Sequence, residues 1–293
     1  MHSAIPDLLD ALRDPAPIDA HTPFARALLH GAAATSVGKA FQAGYQAALR
    51  ALVPGETAPL VALCVTEEQG QHPKHIQTSL TLQEGGVRVR GAKKWAMAGE
   101  GVLLIVANAS AGFPSGKVNA AEARPSLKLL RVPTSTSGLT RIEMPPTRFI
   151  PDVPHTRLEL DLTLPETAIL PGDGYADYVK PFRTLEDIHV HACVIAFVLR
   201  LAASTPFARA LTEPACSILL AHEAHAESPT PALDVALTGT LALAHRFFGE
   251  ADTMLFQRDD EASRGWQRDK AILLLGAAAR EARANKAWVS ALP

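Results

Sequence analysis

Two short segments carry residue types that could do chemistry at once. His222-Glu223-Ala224-His225 sets two histidines three positions apart, which on a helix is the spacing of a metal-binding pair. Glu186-Asp187-Ile188-His189 is a Glu-x-x-His, the element that di-iron helical bundles use twice. The second copy is missing, and no extra glutamates stand in matching helices, so the expectation is hydrogen-bonded or solvated polar residues and no metal. Glycine-rich dinucleotide and phosphate loops (GxGxxG, GxxxxGK[ST]), the GxSxG elbow and HExxH are all absent. Two further segments join apolar runs to polar groups. Ala62-Leu63-Cys64-Val65 leads into Thr66-Glu67-Glu68-Gln69-Gly70-Gln71-His72, and Gly91-Ala92-Lys93-Lys94-Trp95-Ala96-Met97-Ala98-Gly99 leads into Leu103 to Ala107.

The chain that must position these groups has 293 residues, 47% of them hydrophobic and 20% charged, as in a globular protein. Its formal net charge is −2, and no basic run is long enough to follow a phosphate backbone, which excludes nucleic acid as a partner. Cys64, Cys193 and Cys216 are odd in number and lack CxxC spacing, so they read as buried free thiols of a reducing compartment. The first residues show no signal peptide and no stretch is apolar enough to span a membrane, so no membrane association and a cytoplasmic location are expected.

Periodicity divides the chain into an α+β arrangement of three parts: 1–57 helical, 58–174 an antiparallel β-barrel, and 175–293 a four-helix bundle. In the first part Thr22-Pro23 opens a helix, and Val37, Phe41, Tyr45, Leu49 and Leu52 share one face of another, closed by Pro54-Gly55. In the second, Val61 to Val65 suits a buried strand, Ser79 to Gln83 and Val87 to Arg90 flank Glu84-Gly85-Gly86 as a hairpin, and Leu127 to Val132 is another strand. Arg157 to Leu164 alternates strictly over eight positions, one face buried and one wet. The turns between include Gly112-Phe113-Pro114-Ser115-Gly116. After Pro171-Gly172-Asp173-Gly174, breaks at Thr205-Pro206, Thr230-Pro231 and Gln257 to Ser263 leave four helical segments.

The Thr-Glu strand, the Gly-x-Lys-x-Trp segment, the alternating strand and the Ala168-Ile169-Leu170-Pro171-Gly172-Asp173-Gly174-Tyr175 piece together resemble the middle domain of the acyl-CoA dehydrogenases, in order and spacing over roughly residues 35 to 200. The family pattern there is Thr-Glu-x-x-x-Gly-Ser-Asp, a hairpin, then Gly-x-Lys-x-Trp-Ile-(Thr/Ser)-Asn. This chain departs from it at Met97, where the family has a hydroxyl, and at Gly70-Gln71-His72, where the family has Gly-Ser-Asp. The bundle also lacks the Arg-x-x-Phe-Gly and Gly-Gly segments that hold the adenine half of FAD in the family, and the Tyr-Glu-Gly-like loop that carries most members' base.

The resemblance implies an FAD-dependent oxidoreductase that desaturates an acyl-CoA-like thioester, with the flavin between barrel and bundle. Carried over by position, Leu63, Val65, Thr66, Gln71, Trp95 and Met97 face the cofactor and Glu186 is the base. It further implies a homo-oligomer, a dimer or dimer of dimers. The alternative is a ligand-binding or partner-binding protein of the same fold that has lost flavin binding.

Overall fold

The computed structural model describes residues 3–13, 22–109, 126–227 and 231–291. The Gly112–Gly116 turn and the cap Thr230 expected from the sequence lie outside the described residues. Two compact units are present, one formed by Met1–Ala51, Thr147–Asp152 and Leu185–Pro293, the other by Leu52–Pro146 and Val153–Thr184.

The β unit is a curled seven-stranded sheet. Its strands are β1 (Val61–Cys64), β2 (Ser79–Gln83), β3 (Gly86–Met97), β4 (Val102–Ala109), β5 (Leu127–Pro133), β6 (Leu139–Glu143) and β7 (His155–Leu164). The alternation in β7 does what its period requires: Leu158, Leu160, Leu162 and Leu164 are buried while Arg157, Glu159, Asp161 and Thr163 are exposed. β4 is buried through Ala107, in keeping with its unbroken apolar run.

Two expectations need correction. The sheet is mixed, because β4 returns past the β2–β3 hairpin and lies parallel to both β1 and β2. It is also open: β5 pairs with β4, β6 pairs with β7, and no pairing among the described residues joins β5 to β6. β6 was not expected at all. Three of its residues point charges or a hydroxyl outward from an edge, so it lacks an apolar period.

The helical unit contains α1 (Ile5–Arg13), α2 (Pro23–Ala33) and α3 (Val37–Leu52), with most of α4 (Lys180–Ala202) and all of α5 (Ala208–Glu227), α6 (Pro231–Leu255), α7 (Glu261–Asp269) and α8 (Ala277–Ala291). Thr22 Oγ1 accepts the Ala25 N–H at 3.1 Å, the cap read from Thr22-Pro23. α2 and α3 reach α4 through glycines: a Cβ at Gly31 would lie 2.2 Å from the Cys193 carbonyl oxygen, and one at Gly44 would lie 2.6 Å from Val190 Cα. A π-turn over Gly174–Val179, capped by the Asp173 carboxylate, leads into α4.

The fourth segment expected after residue 174 is two helices. A 3₁₀ turn over Lys270–Leu274 is followed by Leu275 in an extended conformation and Gly276 at φ +78°, which stops α7 and lets α8 begin. No helix among the described residues is long and apolar enough to cross a membrane.

Candidate flavin-facing strip

Thr66 follows β1, and its carbonyl accepts the Lys94 N–H at 2.8 Å, tying the end of β1 to β3. The next side chain, Glu67, turns inward. Its carboxylate accepts from Gln77 N–H at 2.6 Å, Thr78 N–H at 3.1 Å, Thr78 Oγ1 at 2.7 Å and Lys93 Nζ at 2.6 Å. The Lys93 side chain is fully enclosed, at 0% exposure. Burial works to raise Glu67, but the Lys93 charge and the hydrogen bonds outweigh it and hold the carboxyl below its usual range. Burial lowers Lys93 against the pull of Glu67. Because the carboxylate has four donors, the pair stays ionised, and an ionised Glu67 keeps its partner charged. The pair therefore pins the loop after β1 to β3 from the inside.

On β3 the register with β7 slips: Lys93 pairs with Leu158, and the next pair is Ala96 with Thr156. Lys94 and Trp95 thus face a single residue, Arg157, which is a β-bulge. Trp95 takes up the extra length with φ +62°, a left-handed conformation that is unusual for a bulky residue. Its side chain is 48% exposed. The His155 ring meets the indole edge to face at 6.0 Å. Burial pushes His155 below the usual histidine range, so it is neutral near pH 7. Bulges and left-handed non-glycine residues are costly features that cluster at functional sites.

The residues picked out from the sequence lie in several settings. Thr66 is half-buried, and its hydroxyl makes no hydrogen bond among the described residues. Val65 and Met97 are buried, Leu63 is half-buried, and Gln71 is exposed in the loop beyond the Glu67–Gly70 bridge. Met97 pairs with His155 at the end of β3. Glu186 belongs to the helical unit, half-buried in the second turn of α4. Its neighbour Asp187 is held by Arg280 at 2.8 Å and by Arg283. The sequence did not single out His155 or the Lys93–Glu67 pair. Two charged residues beside apolar strands were the available signal for the pair; for His155 there was none.

The histidine segments resolve into separate tasks. His189 Nδ1 lies 2.7 Å from the Leu185 carbonyl, and its ring meets Phe24 edge-on. Glu223 is spent on the N-terminus of α1, accepting from Ala4 N–H at 2.7 Å and Ser3 Oγ at 2.8 Å. His225 Nε2 lies 3.0 Å from the Asp234 carboxylate. His222 is enclosed beside His191, and neither of its ring nitrogens has a hydrogen-bond partner among the described residues. No group of three or more His, Cys, Asp or Glu among the described residues could hold a metal ion. The cysteines are free thiols; burial pushes Cys64 up to about 12.

An isoalloxazine needs an apolar surface with a few aimed polar groups at its rim. The exposed indole of Trp95, the neutral ring of His155 and the uncommitted hydroxyl of Thr66 fit that requirement. Met97 has no hydroxyl to add and is turned into the core.

No protein-family model matches the sequence, and no curated protein matches it. Solved structures do. Butyryl-CoA dehydrogenase from Megasphaera elsdenii is 14% identical with a TM-score of 0.64, over 92% of this chain and 83% of that one. PigA, solved with FAD and proline, is 13% identical with a TM-score of 0.65, over 98% and 89%. Glutaryl-CoA dehydrogenase from Mycobacterium smegmatis is 13% identical with a TM-score of 0.61, over 99% and 87%. The chain has the fold of the acyl-CoA dehydrogenases and related FAD-dependent dehydrogenases.

Proposed function

We propose that the protein is a flavin-dependent oxidoreductase acting on an acyl thioester such as an acyl-CoA. The observation that carries this reading is Trp95, exposed at φ +62° in a bulge whose Lys94 N–H is tied to Thr66, a residue whose hydroxyl makes no hydrogen bond among the described residues. FAD is the cofactor the fold's neighbours point to. Trp95, Thr66 and the adjoining Leu63, Val65 and Met97 would hold its ring system, with Gln71 at the loop. When bound, FAD supplies the acceptor for a hydride leaving the β-carbon of the acyl chain.

The protein's own part in the reaction is proton removal. The Glu186 carboxylate takes the proton from the α-carbon of the thioester, the role of a positioned general base. Asp187 cannot take that role while two guanidinium groups hold it. Exposed apolar residues on the helical unit, including Leu274, Leu275, Trp288 and Val289, support assembly into a homodimer or dimer of dimers.

Reconstitution with FAD tests the cofactor: the purified protein should become yellow and its tryptophan fluorescence should be quenched. A protein that FAD cannot colour is instead a ligand-binding member of the fold. In a coloured preparation, Glu186→Gln should keep the flavin spectrum and slow bleaching by an acyl-CoA about a hundred- to ten-thousand-fold. Bleaching at the wild-type rate would place the base elsewhere.

A further inference from the structure

A cleft of about 620 Å³ opens in the helical unit between α1, the C-terminal end of α4 and the first turns of α5. Three arginines line it, Arg13, Arg200 and Arg209. Arg13 lies 3.8 Å from Asp10 and Arg209 lies 2.7 Å from Glu213, both through exposed side chains. Such pairs are weak and readily exchanged. Arg200 has no hydrogen-bond or ion-pair partner for its side chain among the described residues. Among the described residues Arg200 is therefore the one cleft arginine without a counter-charge, flanked by two whose exposed pairs, one of them with Glu213 of the cleft's own lining, a stronger anion can exchange.

Ser204 and Thr212 also line the cleft, and neither hydroxyl makes a hydrogen bond among the described residues. Leu9 and Leu12 supply an apolar wall. Several forked donors and two hydroxyls exceed what one carboxylate can accept, whereas a phosphate offers three oxygens and up to two charges. The wall requires an organic body on that phosphate.

We propose that this cleft binds a small phosphate monoester with a compact apolar body, with Arg200 as the anchoring residue. The proposal stands on the helical unit alone and does not depend on flavin binding.

Calorimetric titration at low ionic strength tests it, with phenyl phosphate as the probe and benzoate as the carboxylate control. Phenyl phosphate should bind saturably and more tightly than benzoate. Arg200→Ala, an exposed site, should weaken it about tenfold or more, with Arg200→Lys between. Glu213→Gln frees Arg209 and removes a negative charge, so it should tighten binding. Absence of saturable phenyl phosphate binding, equal affinity for benzoate, or unchanged affinity in Arg200→Ala overturns the proposal. If Arg200→Ala does not fold, Glu213→Gln decides it: unchanged or weaker binding overturns it.

Discussion

Trp95 carries a backbone conformation that costs about 1–3 kcal/mol in a non-glycine residue. A core indole would give back that cost by burial, yet this one is about half exposed, so burial alone returns only part of it, and the proposed flavin contact is the benefit to test. Trp95→Gly should therefore keep or raise the melting temperature while abolishing FAD-dependent quenching; a variant that melts lower and still binds FAD would make the residue structural. His222 shows the opposite balance. Burial pushes it down to about 3 from an ordinary 6.5, with His191 and His225 adding to the effect. The unfolded chain thus takes up a proton that the folded chain refuses. Stability from this residue is untouched above pH 6.5 and is lost as pH falls from there toward 3. His222→Leu removes both the proton linkage and two unsatisfied ring nitrogens. It should gain about 2 kcal/mol over wild type at pH 5, measured by urea unfolding at pH 5 and 7.5. An unchanged pH profile would show that His222 is already hydrated.

At the scale of elements, α3 meets α4 across Gly44. Alanine there would gain up to about 1 kcal/mol of helix propensity, but its Cβ would stand 2.6 Å from the Val190 backbone, which cannot rotate away. Overpacking costs about 1–3 kcal/mol, so Gly44→Ala should lower the urea midpoint without changing its slope. A more stable variant would mean that α3 slides freely on α4. Elements of this kind differed in how legible they were. β7 could be read outright, since one buried and one wet face leave a two-residue period in the sequence. β3 was read only as far as Arg90, because beyond it the strand is bulged and carries a buried lysine. β6, an edge strand that buries almost nothing, left no period to read. The break between α7 and α8 turned on Gly276, and a glycine in an alanine-rich run is a weak signal until its φ is seen.

For the whole molecule, the helical unit exposes Leu274 at 62% and Val289 at 79%, apolar side chains that the proposed assembly would cover. Light scattering at micromolar concentration should give two or four times the 31.2 kDa chain mass; the monomer mass would count against assembly. The sequence by itself determined the α+β class, most strands and helices, and the resemblance that points to flavin, because burial period and turn chemistry are local properties written residue by residue. It left the candidate site as scattered letters. That Glu67 pairs with Lys93, that β4 runs parallel to β1, that Trp95 is turned outward and Met97 inward, and that Arg200 stands without a partner among the described residues were decided only by tertiary structure. Each depends on which residues, distant along the chain, come to share a buried space or an open cleft, and burial and charge compensation exist only once that space is formed.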